Sequence, residues 1–309
     1  MTSDELSKSP NVATLRDANG EPPQDTLLPR LWKSLRRSPV GFIGVIIVTS
    51  VIFLAIFGSL IVPHDPTDRN LRSRFMPPGH TDDAGTFILG TDQLGRDVYS
   101  RIIVGSTVSV LVGVMSVVIA GVLGVFLGLV AGFYGGWIDN LIMRIVDGLL
   151  SIPFIILVVA ISGVLSAGLG TLILILGLTG WVTYARVIRG EVLKAREMEY
   201  VIAAYAIGQR RILVMLRHIL PNVISTAIIL AASQVGVTIL AESSLSFLGL
   251  GVKSPAVTWG LMLADGRDNI NSAWWMTTFP GIAITITVLG VTFMGDWLRD
   301  VLDPNVRGR

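Results

Sequence analysis

Long uncharged apolar runs, separated by short charged blocks, set the rhythm of this chain. The first, from about 40 to 62, matches the ~20 residues that a helix needs to cross the hydrocarbon of a bilayer. From Ile102 to Ile138 no charged residue occurs, so the helix predicted there outruns one bilayer thickness and must tilt or extend into the headgroups. Further spans are predicted at about 140–162, 169–186, 222–241 and 279–295. The pattern predicts an all-α polytopic membrane protein with about six transmembrane helices.

The polar segments divide the chain. Residues 1–29 are rich in Ser, Asp, Asn and Pro with no apolar period, which reads as a disordered tail. The apolar run that follows starts too late and is too long for a cleavable signal peptide. Residues 30–101 hold the first transmembrane helix and an extracytoplasmic segment. Residues 102–300 form a core of five transmembrane helices with a cytoplasmic loop at 187–221, and 301–309 form a C-terminal tail.

Charge orients this plan. Arg30, Lys33, Arg36 and Arg37 precede the first span, while Arg186, Arg189, Lys194, Arg196, Arg210, Arg211 and Arg217 crowd the loop before the fifth. Arg299, Arg307 and Arg309 follow the last. The positive-inside rule puts all three blocks, and both termini, in the cytoplasm. The arginines from Arg69 to Arg101, on the outer side, run against the rule, although Asp65, Asp68, Asp82 and Asp83 balance them.

Composition narrows the classes. The 309 residues are 51% hydrophobic and only 15% charged, below the about 25% of an ordinary soluble domain. Mean hydropathy is +0.68. A net charge of +2 set in blocks between apolar runs, rather than along one face, argues against nucleic acid. Cysteine is absent, so no disulfide or thiolate metal site can form. His64, His80 and His218 are too dispersed to share a metal, and no Gly-Lys-[Ser/Thr] phosphate loop occurs. No cofactor is expected on this chain.

Several residues stand out. Gly124, Gly128 and Gly132 recur every fourth position and line one helix face, where another helix backbone can approach closely. Arg144 and Asp147, three apart, can form a structural ion pair. Glu242 closes the outer end of the fifth span as an interfacial or contact residue. Between Glu191 and Pro221, apolar Val192, Val201, Ala204, Ile207, Ile212, Leu216 and Ile219 alternate with charges. That pattern predicts two short amphipathic helices separated by Gly208, with Pro221 opening the fifth span. The small Ala203–Ala204 face suits a groove in a partner, although an interfacial linker would also satisfy the pattern.

Glu199, Ile202, Ala203, Ala204, Gly208, Ile219, Leu220 and Pro221 together resemble the EAA motif of ABC-importer permeases. Other phrases are similar to the C-type subunit of dipeptide, oligopeptide and nickel permeases. These are Gly90 to Asp97, Tyr134 to Trp137, Met143 to Asp147, Ala241 to Gly251 and Gly295 to Pro304. The resemblance spans about Leu31 to Arg307 and implies a type I ABC-importer permease fold in a bacterial plasma membrane. It further implies a homologous second permease subunit, two cytoplasmic ATPase subunits that hold ATP and Mg, and an extracytoplasmic solute-binding protein docking on segments that include Gly90 to Asp97. By position, Ala203, Ala204 and Gly208 fall at the ATPase contact. Ile202 departs from the family, which has glutamate there, so Glu199 or Arg210 is left to supply charge.

The implied activity is import of di- or oligopeptides, with nickel complexes or glutathione-type solutes as alternatives. An ion-coupled carrier acting alone would need an ionisable residue deep in the bilayer, and the cores of the fourth to sixth predicted spans have none. A non-transporting scaffold would need only the small-residue packing and the long outer loops.

Overall fold

A computed structural model describes residues 27–302 except 84, 166–167 and 254. The chain divides into two compact units, with the division between Pro39 and Val40. The first contains helix α1 (Leu27–Arg37), which begins inside the stretch expected to be a tail. From Leu31 on, its apolar residues (Leu31, Trp32, Leu35) and its basic ones (Lys33, Arg36, Arg37) fall on opposite arcs, a pattern the long apolar runs overshadow.

The second unit carries the spans. Helices α2 (Pro39–Ile61), α3 (Val98–Tyr134), α6 (Leu169–Arg196), the run Arg211–Phe247 and α11 (Trp275–Leu302) are each long and apolar enough to cross a membrane. At 1.5 Å per residue, the 37 residues of α3 reach about 55 Å, so much of this helix projects beyond a ~30 Å hydrocarbon layer.

The predicted third span differs. It is two helices, α4 (Gly136–Leu150) and α5 (Phe154–Ser162), bent by 90°. Pro153 is the cause: it lacks an N–H and disfavours helical geometry at Ile152 before it, so α4 ends at Leu150 with Ser151 as its C-cap and α5 restarts beyond the ring.

The fifth span differs too. Only the first of the two amphipathic helices, α7 (Glu199–Ala206), stands alone. The second, α8 (Arg211–Val214), runs through a π-helical turn at Met215–Ile219 into α9 (Leu220–Phe247). Pro221 therefore does not begin a new helix after a break. It lies just past the π-helical turn, which accommodates within one continuous helix a residue that has no N–H to donate.

Between α2 and α3 a two-stranded antiparallel sheet, β1 (His80–Asp82) with β2 (Gly85–Phe87), pairs His80 with Phe87. A short helix α10 (Trp259–Gly266) lies between α9 and α11, with Thr258 as its N-cap accepting from Leu261 N–H.

The bundle is organised around α3 and α6. Half of the most apolar stretch of α6 is buried within the chain, against 11% for α2, so α6 is central and α2 peripheral. Gly124, Gly128 and Gly132 face α6. A Cβ on Gly128 would lie 2.6 Å from the Ala185 carbonyl oxygen, and one on Gly132 2.8 Å from Val192. α2 lies against α11, where a Cβ on Gly41 would meet Trp297 at 2.6 Å.

Candidate functional site

The residues marked out by spacing meet at one end of the bundle, where α3 and α6 finish and α9 begins. Val201 and Ala204 turn inward from α7 and join a cluster with Leu129 and Phe133 of α3, Ile188 and Val192 of α6, and Val214 and Ile219. The hairpin is thus seated on the two central helices. Arg196 adds a bond from its guanidinium to the Gly132 carbonyl, 2.8 Å away.

The turn itself is set by Gly208, whose φ of +81° lies in the left-handed region that glycine adopts without a Cβ penalty. Its N–H donates to the Tyr205 carbonyl, and Gln209 N–H to that of Ala204, which satisfies the last carbonyls of α7. Gln209 then pairs with the His218 ring at 2.8 Å, closing the hairpin.

This seating divides the predicted contact face. Ala204, 4% exposed, belongs to the packed side. Ala203 is exposed, so the two alanines do not form one outward face as expected. Successive residues on a helix point about 100° apart, and only one of such a pair can face out fully. The outward surface is Glu199, Ile202, Ala203 and Gly208, with Ile207 at 78% and Ile202 at 56% exposure. Ile219 is buried and Leu220 half-buried, while Pro221 is exposed. The departure at Ile202 therefore places an apolar side chain on the outward face.

The expected pair Arg144–Asp147 is replaced. Asp147 bonds Arg186 of α6 at 2.6 Å, and Asp139 of α4 is gripped by Arg189 through two bonds of 2.5 and 2.6 Å. Both pairs tie α4 to α6, because an inter-helix partner is nearer to Asp147 than the neighbour three residues back.

The opposite end holds a second cluster. Gly90 to Asp97, expected to offer a docking loop, turns its charges inward: Thr91, Asp92, Arg96 and Asp97 are buried, and only Gln93 and Leu94 are half-exposed. Asp92 accepts from Leu94 N–H and Arg96 N–H and pairs with the Arg96 guanidinium at 2.6 Å. Arg96 and Arg101 also reach Asp265 of α10, at 3.1 and 3.5 Å. Burial lifts the Asp265 carboxyl above its ordinary range, against the opposing pull of Arg101 and Arg96. Asp97 caps α3, accepting from Ser100 N–H at 2.9 Å. Arg96 and Arg101, two of the arginines that run against the positive-inside rule, are thus paired within the fold, while Arg69, Arg72 and Arg74 stay exposed.

Glu242 is fully buried, and its carboxylate accepts from Ser246 at 2.7 Å and Ser243 at 3.3 Å. A lone carboxylate in the apolar 28-residue α9 was the available sign of an internal role. Among the described residues no group of three or more His, Asp or Glu could hold a metal ion.

Comparison with known proteins follows the same outline. Residues 124–308 match the family model "Binding-protein-dependent transport system inner membrane component". The chain belongs to this family. As a binding-protein-dependent permease, it is the membrane component of an ABC transport system. Residues 26–78 match the "N-terminal TM domain of oligopeptide transport permease C". The dipeptide transport system permease protein DppC of Bacillus subtilis (strain 168) is 37% identical over 277 residues, covering 89% of this chain and 85% of that protein. The oligopeptide transport system permease protein OppC of the same strain is 36% identical over 281 residues, covering 90% of each. The glutathione transport system permease protein GsiD of Shigella flexneri serotype 5b (strain 8401) is 37% identical over 279 residues, again covering 90% of each. This permease thus covers 85% or more of the length of each of the three.

Proposed function

We propose that this permease is one of two membrane subunits of an importer for short peptides, driven by two ATPase subunits that bind ATP and Mg on its cytoplasmic side. The observation that carries this reading is the seated hairpin. Val201 and Ala204 fix α7 to the ends of α3 and α6, while Ile202, Ala203 and Ile207 project away from the bundle. Force applied to that outward face reaches the two central helices directly. Closure of the ATPases would then bias the spans between two states, because each ATPase state grips the hairpin differently.

Both termini lie in the cytoplasm on this reading, supported by the basic blocks beside the hairpin and before α2. An extracytoplasmic solute-binding protein delivers the peptide. The peptide class is supported by the dipeptide and oligopeptide relatives, and glutathione is the second candidate because the glutathione permease is equally similar.

The test is co-expression of the chain with its companion permease, ATPases and binding protein, followed by reconstitution into vesicles. ATP-dependent uptake of a labelled dipeptide, reduced by excess unlabelled dipeptide and not by glutathione, is the expected result. Uptake without any ATPase would favour a lone carrier, and no uptake in any assembly would favour a scaffold.

A further inference from the structure

One continuous rod joins the two ends of the bundle. From Arg211 to Phe247 the helix runs unbroken through the π-helical turn, 37 residues that reach about 55 Å. Its first turn is the second arm of the hairpin, and Glu242 lies near its far end. A rigid helix of this kind can carry a displacement from one end to the other.

Glu242 makes an unusual contact there. It is fully buried, and its carboxylate accepts from the Ser246 and Ser243 hydroxyls of its own helix and from the Thr258 side chain. Thr258 is also buried and is the N-cap of α10. All three partners are hydroxyls, so no cation offsets the carboxylate's lost hydration. An apolar side chain would fill the position without that cost. What the carboxylate adds is capacity, since its two oxygens accept from both helices at once.

Backbone packing at the same place is an independent observation. A Cβ on Gly260 of α10 would lie 2.6 Å from Ser243 Cα, and one on Gly251 would lie 2.5 Å from Ser246 Cα. The start of α10 and the segment before it therefore rest directly on the Glu242 turn of α9. On its other side α10 is tied to the start of α3. Trp259 Nε1 donates to the Ile102 carbonyl at 2.8 Å, and Asp265 pairs with Arg96 and Arg101.

We infer that Glu242 is a positioning residue whose clasp on Thr258 makes α10 and the segment 248–258 follow the Arg211–Phe247 helix. A displacement begun at the hairpin is thereby delivered to the opposite face of the membrane, where the solute-binding protein docks. The inference rests on the import reading above. Being fully buried, Glu242 acts through Thr258 and not by touching solute. Binding free energies couple in both directions, so docking on that face also changes the grip at the hairpin.

Three substitutions test it in vesicles holding the complete complex. Ser246→Ala removes the 2.7 Å bond, Glu242→Leu removes the carboxylate, and Glu242→Gln keeps an accepting oxygen. In the first two, the acceleration of ATP hydrolysis by dipeptide-loaded binding protein should fall roughly 3- to 10-fold, the effect of about one hydrogen bond. Hydrolysis without binding protein should stay the same, and Glu242→Gln should retain most of the acceleration. A second readout follows the outer segment itself. Because the chain has no cysteine, Lys253→Cys places a single thiol on it at an exposed position of 248–258. A non-hydrolysable ATP analogue should change the labelling rate of that thiol in the otherwise unaltered chain, and should leave it unchanged beside Ser246→Ala. Equal responses in the two chains would overturn the proposal. So would hydrolysis that falls with and without binding protein in step with the unfolding temperature, since Glu242 would then only staple the fold. If the unaltered complex does not respond to loaded binding protein at all, the import reading fails and takes this inference with it.

Discussion

Single residues carry two kinds of constraint here, backbone geometry and buried charge. At Gly208 a Cβ would meet nothing within 4 Å, so substitution is resisted only by the left-handed φ, at about 1–2 kcal/mol for an ordinary residue. Gly208→Val should therefore leave membrane insertion intact and reduce ATP-driven uptake, with Gly208→Asn closer to the original because asparagine tolerates that region. Uptake measured beside the level of inserted protein checks this. Buried charge acts differently. Removing Arg101 leaves Asp92 and Asp265 with one guanidinium between them, so Arg101→Gln should destabilise by about 3 kcal/mol. Glu191→Gln breaks the exposed pair with Lys194 and should cost under about 1 kcal/mol. Thermal unfolding in detergent compares the two.

At the scale of elements, most spans were legible because apolar length is a local property. Charge-free runs located both ends of α2 and α3 and the starts of α6 and α11 within a few residues, while the last two helices continue further, into charged segments. The bend between α4 and α5 was not read, although Pro153 stands in the run, since composition alone cannot distinguish a tolerated proline from one that divides a span. The continuity of Arg211 with α9 was missed for a related reason: charges that look like a loop sit on a helix projecting beyond the lipid. Helix packing sets a sharp expectation. Gly128→Leu must push α3 away from Ala185 and should abolish accumulation of folded protein, whereas Gly190→Ala, with open space at its Cβ, should be neutral or slightly stabilising. Immunodetection of membrane-inserted, protease-resistant protein separates these outcomes.

Across the whole molecule, what spacing could not reveal was pairing at long range. Asp265 meets Arg96 and Arg101 across more than 160 residues of sequence, so two of the arginines that run against the topology belong to a buried cluster. Asp147 finds Arg186 rather than Arg144 for the same reason. The motif at 199–221 was legible as a unit, yet not the division of its faces, which depends on α7 seating Val201 and Ala204 against α3 and α6. That division is the mechanical core of the account, since a lever needs one side fixed and the other free to be gripped. Single cysteines at Ala203, Ala204 and Ile207, introduced into the otherwise cysteine-free chain and treated with a short thiol-to-amine crosslinker in the assembled complex, test it most directly. The account predicts adducts with the ATPase from positions 203 and 207 and little from the buried 204. Adducts with the solute-binding protein instead, or none with the ATPase from any of the three, would contradict it.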